Sequence, residues 1–317
     1  MSADDLDLDD AWEFWRARWG NRLANTMPGK GTPALYLSGL ANLAEWARAN
    51  GREDPAELTG ADLDAYFAHF RTRKNKRTGE PLSGRYMLRD YTSLRSFYRY
   101  VAAEEGIADP MEKVGRPGAT HKRIEIFTED ELERLIAACK GRGFVERRDM
   151  AIMRLLVDLG CRRGEIVDLR VSDLDRIDND LPTVLLRGKT GERRIAIGQK
   201  TVEALAFYLR VRKSHKDSRR SELWLADPTQ HRGALGYSGF AAMLRRRGAE
   251  AGVAGVHPHR FRHTAYNAAA RANIAPAVVM TQFGWKSGAM LEHYARNEQE
   301  SRAQVIMNAA SLGDRIG

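Results

Sequence analysis

Apolar residues recur every three to four positions over most of this chain, and the runs break where turn residues cluster. Trp12, Trp15 and Trp19 fall at helical spacing within 10–26, which predicts a short amphipathic helix whose indoles pack. A second helix starts near Thr32-Pro33, a cap followed by Pro at the first helical position, and runs to about Asn50-Gly51. A third follows Thr59-Gly60-Ala61-Asp62 and carries Leu63, Tyr66, Phe67 and Phe70. A polar, basic loop spans 72–82. The helix from Ser83 to about Glu105 has Met87, Tyr91, Leu94, Tyr98 and Val101 on one stripe, with Arg85, Arg89, Arg95 and Arg99 off it.

Residues 115–122 contain Gly, Pro and basic residues without periodicity, the pattern of a linker. Beyond it, Thr128-Glu129-Asp130-Glu131 reads as a capping box for a helix ending near Gly141. A further helix covers about 146–159. Residues 183–197 form two β-rich runs around a Gly-containing turn, a hairpin. Helices follow at about 199–213, 237–251, 259–272, 275–283 and 299–311. The chain therefore reads as mainly α with a small antiparallel sheet. It divides into an N-terminal extension (1–30), partly disordered at its acidic start, a helical domain (31–115), a linker (116–122) and a C-terminal domain (123–317) with a tail helix.

The 317 residues suit two domains better than one core, and 43% hydrophobic with 29% charged residues is the balance of a globular protein. Cys139 and Cys161 make no paired framework, which points to a reducing, cytoplasmic setting. The acidic start lacks the basic flank and apolar stretch of a signal peptide, and no apolar run approaches the roughly 20 residues of a membrane span. Net charge is +9, which suggests a polyanionic partner. That charge is uneven. Residues 1–119 hold 17 Lys and Arg against 18 Asp and Glu, whereas 120–317 hold 34 against 24. Within the first part, 71–99 carry nine basic and two acidic side chains. Arg73, Lys74, Lys76 and Arg77 in the loop, with Arg85, Arg89, Arg95 and Arg99 on the following helix, are the candidate DNA contacts. A solvated basic face is the plain alternative.

Several short motifs in the C-terminal part could carry chemistry. Arg162 and Glu165 follow a helix; together they could grip a phosphate or form a surface ion pair. Lys189 sits at the hairpin turn, where it could reach into a groove or simply be solvated. Gly188-Lys189-Thr190 is no phosphate loop, because Thr183 stands where the leading Gly belongs and the segment is a strand. His259 and Arg262, three apart, project from one helix face. A metal cluster of His257, His259 and His263 is disfavoured by Pro258, by the lack of nearby Cys or carboxylate, and by the repelling Arg260 and Arg262. Trp285 alone would be a core aromatic, and Tyr294, nine residues later, a packing residue.

Taken in order, Arg162, Lys189, His259-x-x-Arg262, Trp285 and Tyr294 resemble the tyrosine recombinase (phage-integrase) family. Gly160-Cys161-Arg162-Arg163-Gly164-Glu165 is similar to that family's first arginine box, and Pro258-His259-Arg260-Phe261-Arg262-His263-Thr264 to its second. Phe283-Gly284-Trp285-Lys286-Ser287 stands where members often have Leu-Gly-His-Ser. The resemblance covers about 125–300. It is looser in the N-terminal part, through Tyr36, Leu40, Trp46 and Leu94-Arg95-Ser96-Phe97-Tyr98.

The resemblance implies a SAM-like helical core-binding domain and a DNA breaking-rejoining catalytic domain, of the simple Xer-like kind without an arm-binding domain. It implies cleavage through a 3′-phosphotyrosyl bond to Tyr294. Arg162 and Arg262 would stabilise charge on the phosphate, Glu165 would hold Arg162, His259 would take the phenol proton, and Lys189 would protonate the leaving oxygen. Trp285 can donate a hydrogen bond but cannot shuttle a proton, so its role would be binding and packing. The covalent bond conserves the phosphodiester energy, so no cofactor, metal or ATP is expected. Expected partners are double-stranded DNA and three further copies in a homotetramer on synapsed DNA, with monomer or dimer when free and no membrane. The setting would be the cytoplasm, in association with the nucleoid. Alternatives of the same residue set are a type IB topoisomerase-like relaxing enzyme and a catalytically silent DNA-binding regulator.

Overall fold

The computed structural model describes residues 10–27, 31–75, 78–118, 125–176, 182–188, 191–229, 233–285 and 288, with the side chains of 175 and 176 excepted. By internal contacts the chain divides into two compact units, Met1–Lys122 and Arg123–Gly317.

The first unit is helical. Helix α1 (Ala11–Thr26) starts at Asp10, whose carboxylate accepts from the Trp12 and Glu13 amides. Its Trp12, Trp15, Trp19 and Leu23 are buried in the same core as α2 (Gly31–Ala49), α3 (Gly60–Thr72) and α4 (Gly84–Glu105). The expected boundary at residue 31 is therefore displaced: three indoles at helical spacing carry more apolar surface than an extension could leave in water, and α1 joins the helical unit. Thr59 and Asp62 make a reciprocal capping box for α3. The predicted stripe of α4 is buried, and so are two polar residues beside it, Asp90 and Ser93. Asp90 accepts from the Tyr66 hydroxyl (3.0 Å) and from Asn42 Nδ2 (3.2 Å), which ties α4 to α3 and α2. The basic loop closes through backbone bonds, Asn75 N to Glu80 O at 2.8 Å and Leu82 N to Arg73 O at 3.2 Å.

The second unit is built around α6 (Phe144–Leu159), in which Ala151, Ile152, Met153, Leu155 and Leu156 are fully buried. Before it, α5 (Glu129–Ala137) has the predicted Thr128/Glu131 capping box and ends four residues short of Gly141. After it come the short α7 (Arg163–Val167) and an antiparallel sheet of β1 (Leu174–Arg176), β2 (Pro182–Gly188) and β3 (Gly191–Ala196). The predicted hairpin is β2–β3, with Val184 opposite Ile195 and Gly188 opposite Gly191. Strand β1 is an addition: three residues are too few for a period-2 signal. Helices α8 (Gln199–Arg212), α9 (Tyr237–Ala251), α10 (Pro258–Arg271) and α11 (Pro276–Phe283) follow among the described residues, within a residue or so of expectation. The mainly helical fold with a small antiparallel sheet is thus as read from the sequence. The expected tail helix at 299–311 and the acidic start lie outside the described residues. Among the described residues, no helix is long and apolar enough to cross a membrane.

Candidate active site

Four segments meet around the end of α6. That helix stops at Gly160, whose left-handed φ of +52° turns the chain sharply before Cys161 and Arg162. A β-carbon at Gly160 would lie 2.8 Å from Ala265 Cβ, 3.0 Å from Phe283 and 3.1 Å from Arg262 Cα. The missing side chain is what lets the first arginine segment press against α10 and α11.

Arg262 fastens this junction. Its side chain is buried, and its guanidinium donates to the Gly160 carbonyl (3.2 Å) and to the Phe283 carbonyl. The same group lies 5.0 Å from the Phe283 ring centre and 5.5 Å from that of Trp285. One arginine thus links the segment leading into Arg162 with the segment leading into Trp285.

Glu165 is the second organiser. It accepts from the Arg162 amide (2.8 Å) and from Arg162 Nη1 (2.9 Å). On its other side, Arg193 Nη1 and Nη2 reach its two oxygens at 2.8 and 2.9 Å. Burial alone would raise the Glu165 pKa, but the hydrogen bonds from Arg193 and the Arg162 amide outweigh it and hold the carboxyl at about 2. Glu165 therefore stays ionised, and the Arg162 side chain, 32% exposed, keeps an open face. Gly188 makes room: a β-carbon there would meet Glu165 Oε1 at 2.6 Å.

Arg193 was not among the expected site residues. Its Nε donates to the Gln282 carbonyl (3.0 Å), and its guanidinium lies where a β-carbon on Gly284 would be at 3.0–3.3 Å. It joins β3 to α7 and α11. A signal existed: Arg193 and the buried Ile195 are two apart on one strand, so they share a face. Arg260 was also missed. It donates to both Glu131 oxygens (2.8 and 3.1 Å) and lies over Phe127 at 3.9 Å, which locks α10 onto α5.

His259 is exposed on α10 with its ring 4.5 Å from that of His263. His257 caps this helix, its Nδ1 accepting from the Arg260 amide at 3.2 Å. Burial and the Arg260 charge lower its pKa. Trp285 is buried in a small cluster with Tyr266, Val279 and Phe283, stacked on Phe283 at 5.2 Å. Cys161 and Leu159 belong to the core, and burial pushes the Cys161 thiol up to about 12. Lys189 and Tyr294 lie outside the described residues, as do Lys76 and Arg77. In the helical unit, Arg85, Arg95 and Arg99 are exposed, and Arg89 lies over the Tyr86 ring at 3.9 Å. Arg73 is half-buried over Phe70, and Lys74 pairs its backbone with Pro81.

The family model of the phage integrases matches residues 125–301. Tyrosine recombinase XerC of Xanthomonas campestris pv. campestris (strain B100) is 31% identical over 232 residues, 72% of this chain and 67% of that protein. Tyrosine recombinase XerD of Mycobacterium leprae (strain TN) is 28% identical over 244 residues, 74% of this chain and 76% of that one. Among solved structures, the post-cleavage complex of the XerH site-specific recombinase bound to palindromic difH substrate covers 99% of this chain and 100% of its own. Its TM-score is 0.73 at 16% identity, a likeness of fold. A lambda integrase dimer bound to a COC′ core site gives a TM-score of 0.63 at 16% identity, over 89% of this chain and 94% of that one. With more than half of its length matched by the family model and a relative above 30% identity across most of it, this chain belongs to the phage integrase family and is a tyrosine-type site-specific DNA recombinase.

Proposed function

We propose that Tyr294 is the nucleophile and that the site described above holds the scissile phosphate. The phenol oxygen attacks phosphorus, the bond to the 5′ oxygen breaks, and a 3′-phosphotyrosyl linkage forms. His259 accepts the phenol proton, and Lys189 donates one to the departing 5′ oxygen. Arg162 and Arg262 stabilise the charge on the non-bridging oxygens, with Trp285 donating its indole N–H. Attack by the 5′ hydroxyl of a partner strand reverses the steps and releases the tyrosine. No phosphodiester energy is lost between the two transfers.

The observation that carries this reading is the double anchorage of Arg262 on the carbonyls of Gly160 and Phe283. It draws three separate motif segments to one place and fixes a cation there before substrate arrives. Duplex DNA is the partner, bound also by the helical domain through Arg73, Lys74, Lys76, Arg77, Arg85, Arg89, Arg95 and Arg99. Four copies assemble on synapsed DNA in integration, excision or dimer resolution, and the tail at 299–311 docks on a neighbour. The relatives named above are recombinases, which favours strand exchange over relaxation of supercoils or silent regulation.

Arg162→Ala tests the roles. Its side chain is partly exposed, so the fold survives its loss. Cleavage of a target duplex should fall by roughly 100-fold or more while binding changes by less than about tenfold. Equal losses in both would reduce Arg162 to an ordinary phosphate contact.

A further inference from the structure

One groove of the helical unit concentrates positive charge without compensation. It is open, about 440 Å³, and lies between α2, α4 and the chain that follows α4. Tyr36, Tyr91, Arg95, Ser96, Arg99 and Arg116 line it, and no carboxylate does. Arg95 and Arg99 are one helical turn apart on α4, where like charges repel and weaken the helix. Elsewhere in this unit Arg16, Arg18, Arg48 and Arg52 each pair with a carboxylate. Arg95, Arg99 and Arg116 make no ion pair among the described residues.

A tyrosine ties one wall of the groove to α4. The Tyr91 hydroxyl donates to the Val114 carbonyl at 3.1 Å and accepts from Arg95 Nη1 at 3.5 Å. Met111 and Val114 are buried in the same core as α4, and Pro117 is buried too, so the chain is held in place on both sides of Arg116. The backbone on either side of Arg116 is thereby held in place, and its exposed side chain lines the same groove as those of Arg95 and Arg99. Three forked donors around an open groove suit a tetrahedral dianion or a phosphodiester better than any neutral group.

We infer that this groove seats one backbone phosphate of the duplex and that Arg116 is a DNA ligand. The inference rests on the DNA-binding reading of the helical unit and adds to it a residue outside the basic loop and helix. Arg116 lies three residues before the stretch 119–124 that leads into the catalytic unit. Its contact would place the start of the connecting chain on the DNA backbone.

The test is an equilibrium titration of a labelled mixed-sequence duplex over a range of salt. Arg116→Ala should weaken binding by about three- to tenfold near 0.1 M salt and make the slope of log affinity against log salt shallower by about 0.9. Arg116→Lys should restore most of both. Because Arg95 and Arg116 would share one phosphate, the double alanine variant should lose less than the two single losses combined. A wild-type slope in Arg116→Ala, or full additivity with Arg95→Ala, would overturn the inference while the wild-type protein still binds. Failure of the wild-type protein to bind duplex would instead overturn the parent reading, and this one with it. The gap between wild type and Arg116→Ala should persist when inorganic phosphate replaces chloride at matched ionic strength. Its closure would assign the groove to free phosphate and contradict a DNA contact.

Discussion

Glu165 and Arg193 form a two-point ion pair, 2.8 and 2.9 Å, across 28 residues of sequence. The pair is almost fully shielded, with 1% of the Glu165 side chain and 10% of the Arg193 side chain exposed. The Arg162 guanidinium shares that carboxylate, so the open face of Arg162 depends on a residue of the hairpin. Removing Arg193 should leave a buried carboxylate half-compensated. Arg193→Ala is expected to cost about 3 kcal/mol in urea unfolding and to reduce cleavage. Arg193→Lys, which lacks the fork, should recover less than half of the stability. Wild-type stability in Arg193→Ala would show that the pair only decorates the site.

The same pair sets a pH dependence. The Glu165 carboxyl sits at about 2 in the folded protein against an ordinary value of 4.5. A depressed pKa contributes stability that is present above the unfolded value and lost as pH falls through the folded one. The loss should therefore run from about pH 4.5 down to about 2, with a total on the order of 3 kcal/mol. Glu165→Gln should flatten this acid limb of the stability curve. An unchanged limb in that variant would assign acid unfolding to other carboxylates.

Gly160 is a position where a single methyl group should matter. Gly160→Ala adds a β-carbon within 3.1 Å of three neighbours and forces a positive φ on a residue that disfavours it. The expected cost is about 3 kcal/mol, seen as a lowered melting temperature. The variant should also displace the Arg262 anchor and lose cleavage even at temperatures where it remains folded. Full activity in a folded Gly160→Ala would show that the close approach of α6 to α10 does not position the arginine.

His257 gives a fourth expectation. As an N-cap acceptor it must keep Nδ1 unprotonated, and burial with the Arg260 charge lowers its pKa below 6.5. A lowered folded pKa means that its stability contribution is complete above about 6.5 and fades as pH falls below that. His257→Asn keeps a capping acceptor and should remove this loss. If the variant loses stability between pH 7 and 5 as the wild type does, another group titrates there.

Much of this architecture was legible in the chain. The apolar stripe of α4, the capping boxes at Thr59 and Thr128 and the β2–β3 hairpin all follow from local spacing, and the structure has each of them. Local spacing does not report partners across the fold. Asp90 lies on the buried side of α4 because Tyr66 and Asn42 supply donors from two other helices. Arg193 reads as one more basic strand residue until Glu165 is placed beside it. The helix with Trp12, Trp15 and Trp19 was foreseen, but its membership of the core was not, since an amphipathic face does not say what covers it. The motif order around Arg162, His259, Arg262 and Trp285 was readable without structure. The anchorage of Arg262 on Gly160 and Phe283 required the fold.

The account stands or falls on Tyr294 as the nucleophile. The direct measurement is to trap the protein on a nicked duplex that carries its target site and to look for an adduct that survives denaturation. The wild-type protein should form a covalent protein–DNA species and leave a free 5′ hydroxyl, whereas Tyr294→Phe should bind the same duplex and form none. A denaturation-resistant adduct in Tyr294→Phe would contradict the assignment.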